Sequence, residues 1–183
     1  MSRPPFVLVT TNPGKLAEAR RLAGPGLEAA AIDLPEIQSL ELRAVLEEKA
    51  RAAWARLARP LVVEETGLEL AALNGFPGPL VKWMLRAVGA QGIARVALDR
   101  GAPGATARCA LMLRNGGGSV TAEGATRGVL VLPPRGAGGF GWDPVFQPEG
   151  ETRTYGELPA ATKDEIGHRG RAWRALLAKL PPE

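Results

Sequence analysis

The sequence has very little of what disulfides and soft-metal sites require. Among its 183 residues, Cys109 is the only cysteine and His168 is the only histidine. One cysteine excludes an intrachain disulfide, and one histidine excludes a zinc site built from several histidines. Cys109 lies in an apolar run, which is typical of a buried thiol rather than of a nucleophile. A metal ion would therefore have to be bound mainly by oxygen, which favours Mg²⁺, with Mn²⁺ as the alternative.

Long apolar runs and blocks of like charge are also missing. No run reaches the roughly 18 apolar residues that a membrane-spanning helix needs. Residues 1–5 lead into a strand-like run without the apolar stretch of a signal peptide. We therefore expect a cytoplasmic protein with no membrane contact. The net charge of +4 suits an anionic partner, either nucleic acid or a nucleotide, and the charge alone does not distinguish them.

The order of the predicted elements indicates one α/β domain with an antiparallel portion, over residues 1–183. An apolar run at 6–11 predicts a buried strand, and Asn12 and Pro13 are the N-cap and first residue expected of a helix over 16–22. The other predicted elements are strands at 27–34, 61–63, 106–114 and 119–132, helices at 39–58, 81–88 and 91–98, a hairpin turn at 115–118, and a final helix that starts at or after the capping box 162–165.

The turn between the first strand and the first helix is a candidate phosphate site. A helix N-terminus presents unpaired backbone N–H groups and a positive dipole end, which suit a phosphate. Lys15 adds a cation, while Thr10 and Asn12 add hydrogen-bond donors. A capped turn with a solvated lysine would give the same pattern, and a Walker phosphate-binding loop is absent from the sequence.

Carboxylates follow two of the predicted strands. Glu64 and Glu65 come directly after the strand at 61–63, and Glu36 follows the strand at 27–34. Mg²⁺ is usually held by one or two carboxylates together with substrate phosphates, and a carboxylate can also orient or deprotonate an attacking water. The residues alone leave an acidic turn in solvent equally open.

The third candidate combines a glycine-flanked aromatic loop with basic residues near the end of the chain. Phe140 and Trp142 could stack on a base whose edge is read by Asp143, although aromatic residues fill cores more often than they bind ligands. Lys163 and His168-Arg169 follow. Taken alone, a single histidine at the start of a helix usually has a capping or packing role.

In this order the segments resemble the motifs of the inosine triphosphate pyrophosphatase family. The family's pattern is Thr-Gly-Asn-x-x-Lys, an acidic pair followed by Ser or Thr, a Pro-Gly loop, Phe-Gly-Tyr/Trp-Asp-Pro and Ser-His-Arg. The corresponding segments of this chain are Thr10–Lys15, Glu64–Leu68, Pro77–Trp83, Phe140–Pro144 and His168-Arg169. They span nearly the whole chain, and five motifs in the correct order rarely coincide by chance.

The resemblance implies an α/β fold with a mixed central sheet flanked by helices, and two lobes around a deep substrate cleft. It implies Mg²⁺-dependent hydrolysis of deaminated purine nucleoside triphosphates (ITP, dITP and XTP) to the monophosphate and pyrophosphate, which cleanses the nucleotide pool. It also implies a homodimer that binds a small-molecule nucleotide and no nucleic acid.

The resemblance also assigns roles to individual residues. Thr10, Asn12 and Lys15 would hold the triphosphate, and Lys15 would also assist catalysis. Glu36 and Glu65 would bind Mg²⁺, and Glu65 or Glu64 would act on the water. Thr66 and Lys82 would contact phosphate or ribose. The base pocket would consist of Phe140, Gly141, Trp142, Asp143, Lys163, His168 and Arg169. Donors such as His168, Arg169 and Lys163 suit the 6-oxo group of a deaminated purine and leave a 6-amino group badly paired.

Three positions depart from the family pattern. Thr11 replaces the usual Gly, and a positive φ there would be strained. Glu65 replaces the commoner Asp, which moves the carboxylate outward by about one methylene. Gly167 replaces the usual Ser before His168 and removes a hydroxyl near the base. These departures leave the substrate preference less defined than the reaction type.

Two alternatives stay open. One is a pyrophosphatase of similar fold that acts on other modified nucleotides, and the His168-Arg169 pair with the aromatic loop argues against it. The other is a catalytically inactive module that binds nucleotide or nucleic acid. Retention of Lys15, Glu36 and Glu65 together argues against this second alternative.

Overall fold

The computed structural model describes residues 4–180, so residues 1–3 and 181–183 of the predicted domain lie outside the described residues. Residues 4–180 form seven strands and five α-helices. The strands are β1 (Val7–Val9), β2 (Glu28–Ala30), β3 (Leu61–Leu70), β4 (Pro77–Gly78), β5 (Gly104–Asn115), β6 (Gly118–Leu130) and β7 (Phe146–Pro148). The helices are α1 (Pro13–Ala23), α2 (Leu42–Leu57), α3 (Val81–Asp99), α4 (Ala160–Ile166) and α5 (His168–Leu177).

One mixed sheet contains all seven strands. Its order is β2-β1-β3-β5-β6-β7, and β4 pairs with the far end of β3. The pairs β2–β1 and β1–β3 are parallel, whereas the pairs β3–β5, β5–β6 and β6–β7 are antiparallel. Helices cover both faces of the sheet. The predicted mixed sheet flanked by helices is confirmed.

The helices α1 and α2 lie on opposite faces of the parallel strands. Because alternate residues of a strand point to opposite faces, Leu8 and Val62 pack in one apolar cluster with Ala19 of α1 and with α5. Val7, Val9 and Val63 pack in a second cluster with α2. The chain thus runs from β1 to one side and then crosses to the other. A crevice forms at such a switch point, outside the carboxyl ends of the strands.

A third apolar cluster lies at the opposite end of β3 and β5. It joins Leu68 and Leu70 to Ile93 and Ala97 of α3, and it also includes the aromatic side chain of Phe146. α3 bends at Gly89, whose backbone (φ 67°, ψ 174°) is not helical. This bend separates the two helical halves that the sequence predicts at 81–88 and 91–98. The cores at the two ends of the sheet leave a cleft between them.

The long strand β3 corrects one prediction. The sequence places the end of this strand at Val63, but the strand continues to Leu70 because β5 pairs with it at every position from Leu61 to Leu70. Backbone pairing with a long antiparallel neighbour outweighs the weak strand preference of Glu and Gly. Glu64 and Glu65 therefore lie within a strand and not in the turn after one.

The C-terminal helices correct a second prediction. Thr162 lies inside α4, whose N-cap is Pro159, so the predicted capping box does not start a helix. α5 begins at His168 directly after Gly167, and Gly170 lies within its first turn. The predicted second strand is also shorter, since β2 has three residues, and β7 was not predicted.

Helix α5 also covers one side of β6. β7 pairs with β6 only at residues 128–130, so the preceding part of β6 has no strand on that side among residues 4–180. Arg171 donates to the carbonyl oxygen of Ala125 at 3.1 Å, and Lys179 donates to that of Thr121 at 2.7 Å. These contacts block an edge that could otherwise pair with another chain.

Within residues 4–180, no helix combines the length and the apolar character that a membrane crossing requires.

Candidate active site

A cavity of about 480 Å³ opens beyond the carboxyl end of β1. β1 ends at Val9, opposite Val63, whereas β3 continues. The residues of β3 that follow Val63 therefore have no β1 neighbour and border the cavity. Every predicted site residue except Lys163 contributes to its lining: Thr10, Asn12, Lys15, Glu36, Glu64, Glu65, Thr66, Lys82, Phe140, Gly141, Trp142, Asp143, His168 and Arg169.

The turn after β1 adopts the predicted capped geometry. Asn12 is the N-cap of α1, and its Oδ1 accepts a hydrogen bond from the Lys15 amide at 3.0 Å. Oγ1 of Thr10 accepts from the Asn12 amide at 3.1 Å. Thr11 is not among the described non-glycine residues with positive φ, which are Ala58 and Asn74. Its replacement of the family's glycine therefore brings no backbone strain.

Glu64 is fully buried and ion-paired on the α1 and α5 face of the sheet. Its carboxylate accepts from Nε of Arg169 at 3.0 and 3.1 Å, and it lies 3.3 Å from Nζ of Lys15. Burial alone would raise the pKa of Glu64, but the positive charges of Arg169 and Lys15 hold this pKa below its usual value. Glu64 is an anion whose lone pairs are already engaged.

Glu65 lies on the opposite face, toward α2, and belongs to a second charge cluster. Nζ of Lys49 is 2.7 Å from Oε2 of Glu65 and 3.0 Å from Oε1 of Glu36. Nζ of Lys82 is 3.0 Å from the other oxygen of Glu36. Burial would raise the pKa of Glu36, but the two lysines lower it to about 2.

Lys49 is a cavity residue that the sequence analysis missed. It lies on α2 among charged residues that alternate with the apolar stripe, so its pattern matches that of a solvated lysine. Its side chain is only 12% exposed. The one available signal was its position on the helix that directly precedes the acidic strand.

Glu18 was missed in the same way, and it connects two predicted base-pocket cations. Its side chain is buried on α1. One oxygen accepts from Nζ of Lys163 at 2.7 Å, and the other accepts from Nη1 of Arg169. Lys163 also donates to Asp143 at 2.6 Å. The structure therefore places Lys163 behind the cavity wall, with its charge compensated by two carboxylates.

Asp143 is held inside the aromatic loop. Its Oδ2 accepts from the backbone amide of Phe140 at 2.7 Å as well as from Lys163. Burial raises the pKa of Asp143, although Lys163 opposes this effect. The loop is thus fixed by its own carboxylate, and the ring of Phe140 lies over the charged ends of Lys163 and Arg169 at 5.1 and 5.4 Å.

Trp142 and His168 form an aromatic wall. Their ring centroids lie 5.5 Å apart, and His168 also stacks on Tyr155 at 5.9 Å. Trp142 packs edge-on against Phe146, so it belongs to the core as well as to the cavity lining. Burial lowers the pKa of His168 well below its usual value, and Arg169 and Lys163 act in the same direction. The imidazole is therefore neutral near pH 7.

Nδ1 of His168 is buried and has no hydrogen-bond partner among residues 4–180. A buried polar atom without a partner is costly, and because His168 lines the cavity, this nitrogen is a candidate partner for a bound ligand. Gly167 precedes it, and a Cβ there would come within 2.4 Å of the Lys163 carbonyl oxygen. A Ser at position 167 would therefore require the backbone at 163 or 167 to move.

Cys109 lies outside this lining. It is fully buried on β5 opposite Thr66, and burial raises the pKa of its thiol well above the usual value. Its predicted role as a buried structural thiol is consistent with this position.

The arrangement separates two chemical environments within one cavity. At one end Lys49 and Lys82 pair with the carboxylates of Glu36 and Glu65, while Lys15 pairs with Glu64 on the other face of the strand, which suits a polyphosphate and a cation. Aromatic rings and an unpaired imidazole nitrogen lie at the other end, which suits a flat heterocycle. Within residues 4–180 no group of three or more His, Cys, Asp or Glu side chains forms a complete metal cage.

Comparison with known proteins gives a consistent result. The sequence matches the model of the Ham1 family over residues 6–179. It is 38% identical over 176 residues to a dITP/XTP pyrophosphatase of Pyrobaculum aerophilum, covering 94% of both chains. It is 40% identical over 170 residues to an inosine triphosphate pyrophosphatase of Batrachochytrium dendrobatidis, covering 91% of this chain and 88% of that protein. Among solved structures, a HAM1 protein from Coxiella burnetii superposes with a TM-score of 0.75 at 28% identity, covering 94% of this chain and 96% of that one.

Proposed function

The chain belongs to the Ham1 family, and from this membership and its cleft we propose that it hydrolyses deaminated purine nucleoside triphosphates (ITP, dITP and XTP) to the monophosphate and pyrophosphate. The family resemblance that the five motifs indicate is confirmed. The relatives named above are nucleoside triphosphate pyrophosphatases. The proposal for this chain places the enzyme in the cytoplasm, as a homodimer that acts on free nucleotides.

One observation carries the proposal: a single cavity joins a lysine-rich, carboxylate-containing end to an aromatic end. The cavity's volume of about 480 Å³ is within the range of small-molecule sites, roughly 300–1,000 Å³. A triphosphate fits the first end, where Lys15 projects from a helix N-terminus and Lys82 from α3. A base fits the second end, between the Phe140–Asp143 loop and the start of α5.

The carboxylates of Glu36 and Glu65 fit a divalent cation such as Mg²⁺ or Mn²⁺. Both lie within 3.0 Å of the same ammonium group, so a positive charge already occupies the space between them. Two carboxylates with phosphate oxygens are the donor set that Mg²⁺ prefers. When bound, the cation would neutralise charge that develops on the phosphates.

Of the two adjacent glutamates, Glu65 is the one that we assign to the attacking water. In the reaction, water adds to the α-phosphorus, the bond to the bridging oxygen breaks, pyrophosphate leaves and one proton of the water is accepted by a carboxylate. Glu64 is held anionic by Arg169 and Lys15, and its lowered pKa makes it a weak base. In the proposal, Glu64 orients the side chains of Lys15 and Arg169, whereas Glu65 acts on the water.

The base would be selected by the wall that contains His168. Its unpaired Nδ1 needs a hydrogen-bonding partner, and a 6-oxo purine and a 6-amino purine present opposite groups at the same edge. A site built to hydrogen-bond one of them rejects the other strongly, because a buried group is otherwise left unpaired. Arg169 and Lys163 lie behind the Phe140 ring, where Glu18, Glu64 and Asp143 compensate their charges, so they hold the wall in place and add no net positive potential.

The experiment that tests the proposal is pyrophosphate release with Mg²⁺ from ITP, XTP, dITP, ATP, GTP and dUTP in parallel. Rapid release from the first three alone is expected. Equal release from ATP or dUTP would contradict the assigned base pocket and leave the phosphate site. No release from any of the six would contradict the enzyme assignment.

A matched pair of variants locates the chemistry. Glu65→Gln should lower pyrophosphate release by about 100-fold or more, because the side chain can no longer accept a proton. Glu69→Gln is the control, since Glu69 lies on the same strand and face but pairs with Arg108 outside the cavity. Equal loss in both variants would mean that Glu65 has no direct role.

A further inference from the structure

The ammonium group of Lys49 occupies the position between the two carboxylates that fit a metal ion. It lies 3.0 Å from Glu36 and 2.7 Å from Glu65, and it donates to the backbone oxygen of Glu64 at 3.3 Å. The side chains of Lys49 and Glu65 are each 12% exposed. Three oxygen partners in a mostly buried setting make this a specific ion-pair site and not a chance surface contact.

The second oxygen of Glu36 is also occupied. It accepts from Nζ of Lys82, so both oxygens of this carboxylate face lysines. A divalent cation that approaches these residues alone must therefore displace at least one ammonium group. Such a displacement leaves a mostly buried lysine without its counter-charge, which is costly.

We propose that Lys49 is an internal counter-cation that competes with the divalent metal ion for Glu36 and Glu65, so that the metal ion binds together with the nucleotide and not before it. Lys49 lines the same cavity as Lys15 and Lys82. A triphosphate entering the cavity offers new oxygen acceptors to the displaced ammonium group. Metal ion and nucleotide then favour each other's binding, because each removes a cost that the other would meet alone.

This inference rests on the proposed function for the identity of the nucleotide, but its test requires no hydrolysis. The full chain is titrated with Mn²⁺ in the absence of nucleotide, and free Mn²⁺ is measured by electron paramagnetic resonance. Wild type should bind Mn²⁺ weakly, and Lys49→Met should bind it about tenfold more tightly, a typical size for coupling between ligands. Lys49→Arg keeps the charge and should bind as weakly as wild type.

Two controls locate the effect. Lys179→Met removes one positive charge at an exposed position on the far side of β6, and it should leave Mn²⁺ affinity unchanged. The double variant Lys49→Met/Glu36→Gln should lose the gain. A gain in Lys179→Met equal to that in Lys49→Met, or no gain in a Lys49→Met protein with a native circular dichroism spectrum, would overturn the proposal.

A measurement on the wild-type chain keeps the proposal testable if Lys49→Met does not fold. Millimolar Mg²⁺ alone should leave the Tm unchanged, whereas Mg²⁺ added with a non-hydrolysable ITP analogue should raise it more than the analogue does alone. An increase in Tm with Mg²⁺ alone, equal to that with both ligands, would overturn the competition. Failure of the proposed function would appear separately, as absence of pyrophosphate release with the Mn²⁺ results intact.

Discussion

At the scale of single residues, two neighbours on β3 have separate partners because a strand alternates its side chains. Glu64 faces α1 and α5, where Lys15 and Arg169 hold it, and Glu65 faces α2, where Lys49 holds it. The two carboxylates are thereby tied to different helices. If Glu64 and Glu65 exchanged faces, all the remaining side chains of the strand would have to change faces as well.

Glu18 is expected to contribute strongly to stability. It compensates both Lys163 and Arg169 in a buried setting, so Glu18→Gln leaves two buried cations with one carboxylate fewer. We expect a loss of about 3 kcal/mol in the free energy of unfolding, measured with urea. Glu47→Gln on α2 is the control, because Glu47 pairs with Arg43 in solvent and should change stability by less than about 0.5 kcal/mol.

Equal urea midpoints of unfolding for Glu18→Gln and Glu47→Gln would show that the Glu18 cluster contributes no more to stability than a surface ion pair does. Restored stability in Glu18→Asp would support a requirement for charge over one for length.

The single histidine makes the pH dependence of stability simple to interpret. Burial lowers the pKa of folded His168, while the unfolded chain keeps a value of about 6.5. Below about pH 6.5 the unfolded chain therefore binds a proton that the folded chain does not, and stability falls by at most about 1.4 kcal/mol per pH unit. Between pH 7.5 and 5, wild type should lose about 2 kcal/mol relative to His168→Asn.

Carboxylates act in a lower pH window. The pKa values of Glu18 and Glu64 are lowered below 4.5, so their contribution to stability is complete above about pH 4.5 and is lost as the pH falls through their folded pKa values.

The protonation of His168 can be measured directly from its imidazole signals in nuclear magnetic resonance. A His168 signal that titrates near pH 6.5 would contradict a neutral, buried ring.

At the scale of elements, the distance between α5 and β6 determines where the last two motif residues lie. A Cβ on Gly124 would come within 2.2 Å of the His168 carbonyl oxygen and 2.5 Å of the Ala172 amide nitrogen. Both atoms belong to the backbone of α5, so only glycine permits this approach. The helix start that carries His168 and Arg169 is placed by a small residue on the strand beneath it.

Gly124→Ala should therefore displace α5. We expect a loss of about 1–3 kcal/mol in unfolding free energy, as for other overpacked sites, together with reduced pyrophosphate release. Gly116→Ala in the hairpin is the control, since no heavy atom lies within 4 Å of a Cβ there. Unchanged stability in Gly124→Ala would mean that the helix and sheet adjust at little cost.

Elements with a strong local signal could be predicted from the sequence. The Asn12 cap, the hairpin at 115–118 and the break in α3 near Gly89 each follow from residue types at fixed positions. The continuation of β3 past Val63 could not be predicted, because it depends on pairing with β5 some 40 residues later. Local patterns do not record which strand will become a neighbour.

The candidate site divides in the same way. Its motif residues could be named from their order along the chain, and all but Lys163 border one cavity. Lys49 and Glu18 could not be named from the sequence, because each resembles an ordinary charged residue on an amphipathic helix until the facing strand or helix is known. Their importance arises from tertiary contacts.

At the scale of the whole molecule, the cleft joins cores at the two ends of the sheet. Its lining comes from the β1–α1 turn, the segment at 32–36, α2, β3, α3, the loop at 140–143 and α5. A nucleotide in this cleft would contact both ends simultaneously. Local unfolding at either end of the cleft would then require the nucleotide to dissociate.

Binding of Mg²⁺ with a non-hydrolysable ITP analogue should stabilise the complete chain. At about 100 times its dissociation constant a ligand adds about 2.7 kcal/mol, which for a chain of this size corresponds to roughly 5–10 °C in Tm. Differential scanning fluorimetry checks the shift, with the corresponding ATP analogue as control. Equal shifts with both analogues would contradict selection of the base.

The order of the elements also has a consequence for biosynthesis, because α5 follows every other strand and helix of residues 4–180. A growing polypeptide leaves the ribosome from its N-terminus, so the β1–α1 turn emerges early and α5 emerges late. Until α5 emerges, Glu18 and Glu64 lack the guanidinium group of Arg169, and the free side of β6 lacks its cover. An unfinished chain therefore has an incomplete site, and its uncovered sheet edge is open to pairing with another strand during translation.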